Sequence, residues 1–405
     1  MKEDEVKLPP YTVDNSVSSM TQVIDWGLEQ MNVPVAWKES KGEGIKIAVL
    51  DTGHPLHVDT DLNCRPGFNS FDGSDDIFDQ NGHQTHCTGI ICGVDNNQGM
   101  VGVAPKSKCI SVKVLSDSGS GSWQSVAAGL DHCINTKPDI VSMSLGGSSP
   151  SPLLESRIKT LYDMNIPVVC AAGNSGYGGV NWPAAYPETI AIAAFDKNGK
   201  VAPFSSRGDA VEWAAPGVNI YSTFLRNTYA SLSGTSMACP FMVGVIALML
   251  SKHKKQEQET GKNDCKTVEQ IREHLKKYTM DKGRLGKDNS WGYGIIDIES
   301  MFGKSSDSSN SRSSISSDSS KSSDSSKSSK SSTSSTSSKS SKPEFHDGRA
   351  PIGLLPWGIL GLFIAIALTM FVVSKCTEDD IDVPEAPDYD SNSFWDDKFQ
   401  KELQE

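Results

Sequence analysis

A basic excess is what this chain lacks first: 38 Lys and Arg stand against 50 Asp and Glu over 405 residues, a formal net charge of −12. That composition leaves no electrostatic footprint for nucleic acid. The acidity is local, because the segment after Cys376 holds eleven acids and two lysines, a net of −9, leaving about −3 for all the other residues. Residues 1–20 lack the apolar core of a signal peptide. Ser305 to Lys342 lacks aromatic residues and has one apolar residue, Ile315, in a stretch that is nearly all Ser with Lys, Asp and Thr. Such a segment cannot bury a core, so it reads as a disordered tether rather than a second domain. Charge is absent from the 22 residues Ile352–Val373, enough to span a bilayer as one helix, with Trp357 near one interface and Lys375 at the other. Nine cysteines cannot pair off completely. Cys87, Cys109, Cys170 and Cys239 fall inside expected helices and strands, where a free thiol acts as a small apolar group. A Cys64–Cys92 pair stays open, and Cys376 is a palmitoylation candidate.

Three short stretches carry chemistry. Ile45 to Leu50 reads as a buried strand, and Asp51-Thr52-Gly53 turns the chain at its carboxyl end, where open α/β sheets place their crevice. Thr85 to Val94, small and apolar, suits a buried helix with His83 at or near its first turn. Gly234-Thr235-Ser236-Met237-Ala238 precedes Pro240 and the apolar run Phe241 to Leu250, so a helix is expected to start close to Ser236 with Pro240 in its first turn. A carboxylate that orients an imidazole, which in turn takes the proton of a serine hydroxyl, is the arrangement that activates such a nucleophile. A helix N-terminus at Ser236 favours a developing oxyanion. A metal reading of His83 and His86 does not fit the helical zinc motif, because the spacing is one residue short and no Glu lies between them. His86 is expected to be structural.

In the order Asp, His, Ser and in the local setting of each, residues 22–300 resemble the catalytic domain of the subtilisin family of serine endopeptidases. The resemblance implies a doubly wound α/β fold with a mostly parallel sheet flanked by helices. Val169 to Asn174 is similar to the family strand that ends in the oxyanion-hole asparagine, which makes Asn174 a donor to the tetrahedral intermediate together with the Ser236 backbone N–H. Gly119, Ser120 and Gly121, and Ser144, Leu145, Gly146 and Gly147, resemble the two extended segments that hold a peptide substrate by strand addition. Ala171, Ala172 and Gly173 form the facing wall of a roomy, neutral S1 pocket, which implies a broad preference for apolar P1 side chains. Gln84, Cys239 and Phe241 depart from the family pattern, and Gln84 is expected to narrow the cleft beside His83.

Residues Asp95 to Gly102 resemble the family's calcium loop, a site of hard oxygen ligands. The resemblance implies Asn96 as side-chain ligand, Val94, Gln98 and Met100 as carbonyl donors, and Asp61 and Gln22 as remote ligands, with Asp59 open as the alternative to Asp61. Val6 to Tyr11 resembles the segment with which intracellular subtilisins block their own cleft. The chain therefore reads as five parts: an extension over 1–21 with an inhibitory role in prospect, a peptidase domain over 22–303, a linker over 304–350, a transmembrane helix over 351–374 and an acidic tail over 375–405. The expected partners are protein or peptide substrates and, through one helix, a lipid bilayer, with a monomeric catalytic domain and no nucleic acid. Which side of the membrane carries the domain stays open. The functional expectation is a membrane-anchored serine endopeptidase, with a catalytically silent membrane-bound peptide-binding module as the alternative.

Overall fold

Ile47 and Val49 enter one hydrophobic core while Ala48 and Leu50 enter another, so the strand they form is apolar on both faces and reads as an unbroken run. The structure, a computed structural model, describes residues 5–17, 21–74 and 76–303. The expected linker over 304–350, the span over 351–374, the tail over 375–405 and Cys376 lie outside the described residues. By internal contacts the chain divides into residues 1–310 and 311–405, and all the described residues belong to the first unit.

Short strands β1 (Glu5–Lys7) and β2 (Thr12–Val17) and short helices α1 (Trp26–Gln30) and α2 (Val33–Ala36) precede β3 (Lys46–Asp51). Then come β4 (Cys64–Asn69), α3 (His83–Cys92), β5 (Lys108–Lys113), β6 (Ser120–Ser122), α4 (Trp123–Thr136), β7 (Ile140–Met143), α5 (Pro152–Asp163), β8 (Val168–Ala171) and β9 (Thr189–Phe195). The domain ends with β10 (Val211–Pro216), β11 (Ile220–Phe224), β12 (Thr228–Ser233), α6 (Thr235–Thr260), α7 (Val268–Lys277) and α8 (Ile298–Phe302).

Seven strands form one sheet in the order β10-β9-β8-β7-β3-β5-β4, and every pair in it is parallel. Ala48 lies between Ile110 of β5 and Val141 of β7. Strand order turns back on either side of β3, which puts its carboxyl end at the crevice of a doubly wound sheet. Helices α3 and α6 pack on the core that holds Ile47 and Val49, and α4 and α5 on the core that holds Ala48 and Leu50. A separate antiparallel sheet joins β11, β12 and β2.

Local sequence explains the helix ends near the crevice. Helix α3 starts at His83 itself, in keeping with the expected place of His83 at or near the first turn, because Gly82 takes φ +95° and turns the chain into it. Helix α6 has the length and apolarity of a membrane span, yet 94% of its apolar window is buried; it is the central core helix of the domain. Pro240 is its sixth residue, in the second turn rather than the first as expected. Lacking an N–H, it leaves the Ser236 carbonyl without a helical partner.

Candidate active site

Asp51 and His83 meet at the end of β3. Both are fully buried, and the His83 Nδ1–H lies 2.8 and 2.9 Å from the two carboxylate oxygens of Asp51. A carboxylate only accepts, so the proton is on Nδ1 and the neutral ring has its lone pair on Nε2. That Nε2 is buried with no hydrogen-bond partner among the described residues. Burial opposes the charged imidazolium, but the Asp51 carboxylate, helped by Cys87, prevails and holds His83 well above the usual histidine range.

What fixes this pair is a residue that sequence reading passed over. The buried Asp79 carboxylate accepts from the Thr52 hydroxyl at 2.8 Å and the Gly82 N–H at 2.9 Å on one oxygen, and from the Thr85 N–H and hydroxyl at 2.8 and 2.7 Å on the other. It therefore ties the turn after Asp51 to the first turn of α3, where a negative charge is also favoured by the helix dipole. The available signal was Asp79-Gln80-Asn81-Gly82, an acid three residues before the glycine that opens a helix. Gln84 does not narrow the cleft. Its side chain is fully buried, with Oε1 accepting from the Gly53 N–H at 2.8 Å, so it braces the Asp51 turn from below. His86 is structural as expected, with Nε2 3.0 Å from the Ile220 and Ala230 carbonyls and burial pushing it down to about 3.

Ser236 is the second residue of α6. Its orphaned carbonyl accepts from the Ser144 hydroxyl at 2.9 Å and the Cys87 thiol at 3.4 Å, while its own hydroxyl donates to the Ser144 carbonyl at 3.4 Å. Cys87 also lies 3.9 Å from His83 Nδ1, so one thiol touches both the serine and the imidazole segments. Asn174 follows β8. Its Oδ1 accepts from the Thr235 N–H at 2.9 Å and the Thr235 hydroxyl at 2.8 Å, which leaves Nδ2 as the outward donor. Thr235 is a positioning residue that sequence reading did not single out.

The segments expected to flank a substrate are tied by backbone hydrogen bonds. Gly147 and Trp182 exchange backbone hydrogen bonds at 2.9 and 3.1 Å, and the Asn181 N–H donates to the Ala172 carbonyl at 2.9 Å. The neutral Asn181 side chain borders both Gly146 and Gly173. Leu145 is buried in the core and offers the cleft backbone only. Between the walls runs the N-terminal segment. Lys7 exchanges backbone hydrogen bonds with Gly146 at 3.0 Å each way, and the Leu8 N–H donates to the Gly119 carbonyl at 3.0 Å. Strand β1 pairs antiparallel with β6, Val6 opposite Gly121 and Lys7 opposite Ser120. The Pro10 carbonyl then accepts from Asn174 Nδ2 at 2.7 Å, and the Tyr11 ring sits 5.1 Å from the His83 imidazole. Ser236 and His83 have no exposed surface under it.

The expected calcium loop gathers Asp59, the alternative left open, and not Asp61. Asp61 is exposed, whereas buried Asp59 accepts from Asn96 Nδ2 and the Met100 N–H at 3.0 Å and from the Tyr229 hydroxyl at 2.8 Å. The connection after Asp51 turns through His57, whose carbonyl accepts from the Asp61 N–H at 3.0 Å, and that turn points the later acid outward. Gln22 joins the loop through Oε1, which accepts from the Asn97 N–H at 2.7 Å. Val94, Gln98 and Met100 lie in the same loop, and the Asn96 Oδ1 accepts from the Gln98 N–H at 2.9 Å. One carboxylate, two side-chain amide oxygens and nearby carbonyls are oxygen donors of the kind calcium takes.

The parallel doubly wound sheet carries a buried Asp–His pair at its carboxyl crevice and a serine at a helix N-terminus, an arrangement compatible with a serine hydrolase. Residues 42–294 match the sequence model of the Subtilase family, Peptidase S8. The M-protease of Shouchella clausii strain KSM-K16 is 40% identical over 288 residues, 71% of this chain and 72% of its own. Subtilisin Savinase of Lederbergia lenta is 40% identical over 280 residues, 69% and 98%, and alkaline elastase YaB of Bacillus sp. strain YaB is 37% identical over 301 residues, 73% and 76%. The chain belongs to the subtilase family and is a subtilisin-type serine endopeptidase acting on proteins or peptides.

Proposed function

We propose a membrane-tethered endopeptidase in which Asp51, His83 and Ser236 form the triad and Asn174 binds the oxyanion. The observation that carries this reading is the His83 Nδ1–H held between both oxygens of Asp51, with Nε2 left without a partner. In the working cycle the Ser236 hydroxyl leaves the Ser144 carbonyl, gives its proton to Nε2 and attacks the scissile carbonyl. Charge developing on that oxygen is met by Asn174 Nδ2 and the Ser236 N–H, both fixed beforehand. The imidazolium, steadied by Asp51, returns the proton to the leaving amine, and water then repeats the sequence on the acyl-enzyme. The neutral Asn181 between the S1 walls supports a broad apolar P1 preference.

In the same proposal residues 5–11 restrain the enzyme by lying in the cleft as a peptide would. Its support is the Pro10 carbonyl on Asn174 Nδ2. A calcium ion would be held by Asp59, the side-chain oxygens of Asn96 and Gln22 and the carbonyls of Val94, Gln98 and Met100, and would stiffen that loop. The uncharged run Ile352–Val373 supports a single-pass anchor joined to a monomeric catalytic domain by the Ser-rich linker. Digestion of a denatured protein by the purified chain, with the new C-termini sequenced, tests the activity and the P1 reading together. Cuts after apolar residues that vanish in Ser236→Ala are expected; cuts concentrated after Lys or Arg would overturn the pocket assignment.

A further inference from the structure

Seventeen residues along α6 from Ser236, or about 26 Å of helix, a second cluster of ligand-type side chains closes around no assigned function. His253 comes from α6, Cys265 from the connection after it and His274 from α7. His253 is 6% exposed and Cys265 4%. The two imidazoles stand edge to face with centroids 4.7 Å apart at 89°. One ring nitrogen from each histidine and the Cys265 Sγ all lie within 4.8 Å of one another. The decisive atom is His253 Nδ1, which is buried and has no hydrogen-bond partner among the described residues. Folds rarely leave a buried nitrogen without a partner, and His253 is one of three ligand-type side chains gathered here.

We propose that His253, Cys265 and His274 form a transition-metal site that takes zinc. The donor set decides the class of ion, because two imidazoles and a thiolate suit zinc and related soft or borderline ions and do not suit calcium. Ligand atoms on one tetrahedral zinc lie roughly 3.3–3.8 Å apart, given bonds of about 2.0–2.3 Å, so the trio, all within 4.8 Å of one another, needs to close by at most about 1.5 Å. His274, the half-buried member, can make that movement by side-chain rotation. Asp264 acts electrostatically on all three residues and offsets Lys252 and Lys277, which act on His274. A water completes the fourth position.

Local sequence also positions the site. Thr267 and Gln270 form a capping box that starts α7 directly after Cys265, and Ile271 and Leu275 pack that helix on the core beside His274. An ion there would fasten the end of α6 to α7 in a domain whose described cysteines are all free. Because the site is remote from Ser236, its effect is on stability and not on the chemical step.

The test uses the full chain carrying Ser236→Ala to prevent self-digestion, freed of transition metals and with calcium held constant, titrated first with cobalt(II) and then with zinc. Expected are one equivalent of cobalt with a thiolate-to-metal charge-transfer band, displacement of that band by zinc, and a rise of the thermal midpoint with zinc. Cys265→Ser should remove the band, and His274→Gln should remove both the stoichiometric binding and the midpoint rise, with the metal-free midpoints of both variants close to the parent's. Cys87→Ser, which alters the other Asp51–His83–Cys87 grouping, should leave the band in place. No band, a band that survives Cys265→Ser, or one lost in Cys87→Ser instead would overturn the proposal.

Discussion

Replacing Thr235 by Val keeps the shape of a fully buried side chain and removes one hydroxyl with two jobs. That hydroxyl donates to Asn174 Oδ1 at 2.8 Å and accepts from the Gly173 N–H at 3.1 Å. The Gly173 N–H is then left buried without its partner, at a cost of about 1–3 kcal/mol in stability. Asn174 keeps the Thr235 N–H at 2.9 Å, so its amide is loosened rather than lost. One net hydrogen bond of about 1 kcal/mol corresponds to roughly a fivefold fall in kcat. Asn174→Ala sets the ceiling, about 10²–10³ in kcat, a range established on a subtilisin and carried over by homology. The assay is steady-state hydrolysis of a peptide amide, with active sites titrated so that incomplete folding or cleft occupation by residues 5–11 does not enter kcat. Thr235→Ser retains the hydroxyl and should stay near the parent. A Thr235→Val enzyme that loses stability but keeps its kcat, or that changes KM alone, would refute the positioning argument.

Other parts of the site give further expected outcomes. Only neutral His83 accepts the serine proton, so with its pKa raised by Asp51 against burial, activity should climb with pH through a limb above about 6.5. Asp51→Asn should lower that limb and cut kcat by about 10⁴, whereas a parent limb at or below the ordinary value would contradict the geometry. Asp79→Ala strips the bonds that tie Thr52 to Gly82 and Thr85 and should cost about 3 kcal/mol or more in a denaturant titration; a change under about 1 kcal/mol would count against its role. Chelation of calcium should lower the thermal midpoint of the parent and of Asp61→Asn but leave Asp59→Asn unmoved, and equal responses in all three would remove the loop as an ion site. Deleting residues 1–11 should raise the initial rate of peptide hydrolysis, and an unchanged rate would mean that the segment leaves the cleft unaided.

Much of this site is legible in the chain because its chemistry is written in short contiguous motifs. Asp51 ends an apolar strand, His83 follows a glycine and Ser236 opens an apolar helix, so each position is marked locally. Less visible are residues whose work depends on long-range partners. Asp79 and Thr235 act through hydrogen bonds to segments that the fold brings beside them; the one local sign of Asp79 is its place three residues before Gly82, and Thr235 has none. Gln84 shows the opposite difficulty. Its bulk beside His83 suggests a narrowed cleft, but its place in a helix decides its direction, and that direction is inward to Gly53. Asp59 and Asp61 differ only by a turn at His57 that spacing alone does not reveal. The zinc trio is spread over three elements at intervals matching no compact ligand motif, so only the packing of α7 on α6 brings it together.

The most direct measurement for the central assignment is reaction of the full chain with a fluorophosphonate, followed by mass mapping of the labelled peptide. One label per chain on Ser236 is expected, absent in Ser236→Ala and strongly slowed in His83→Ala. A label on another residue, or labelling of the parent no faster than of Ser236→Ala, would contradict the assignment of Asp51, His83 and Ser236 as the catalytic triad.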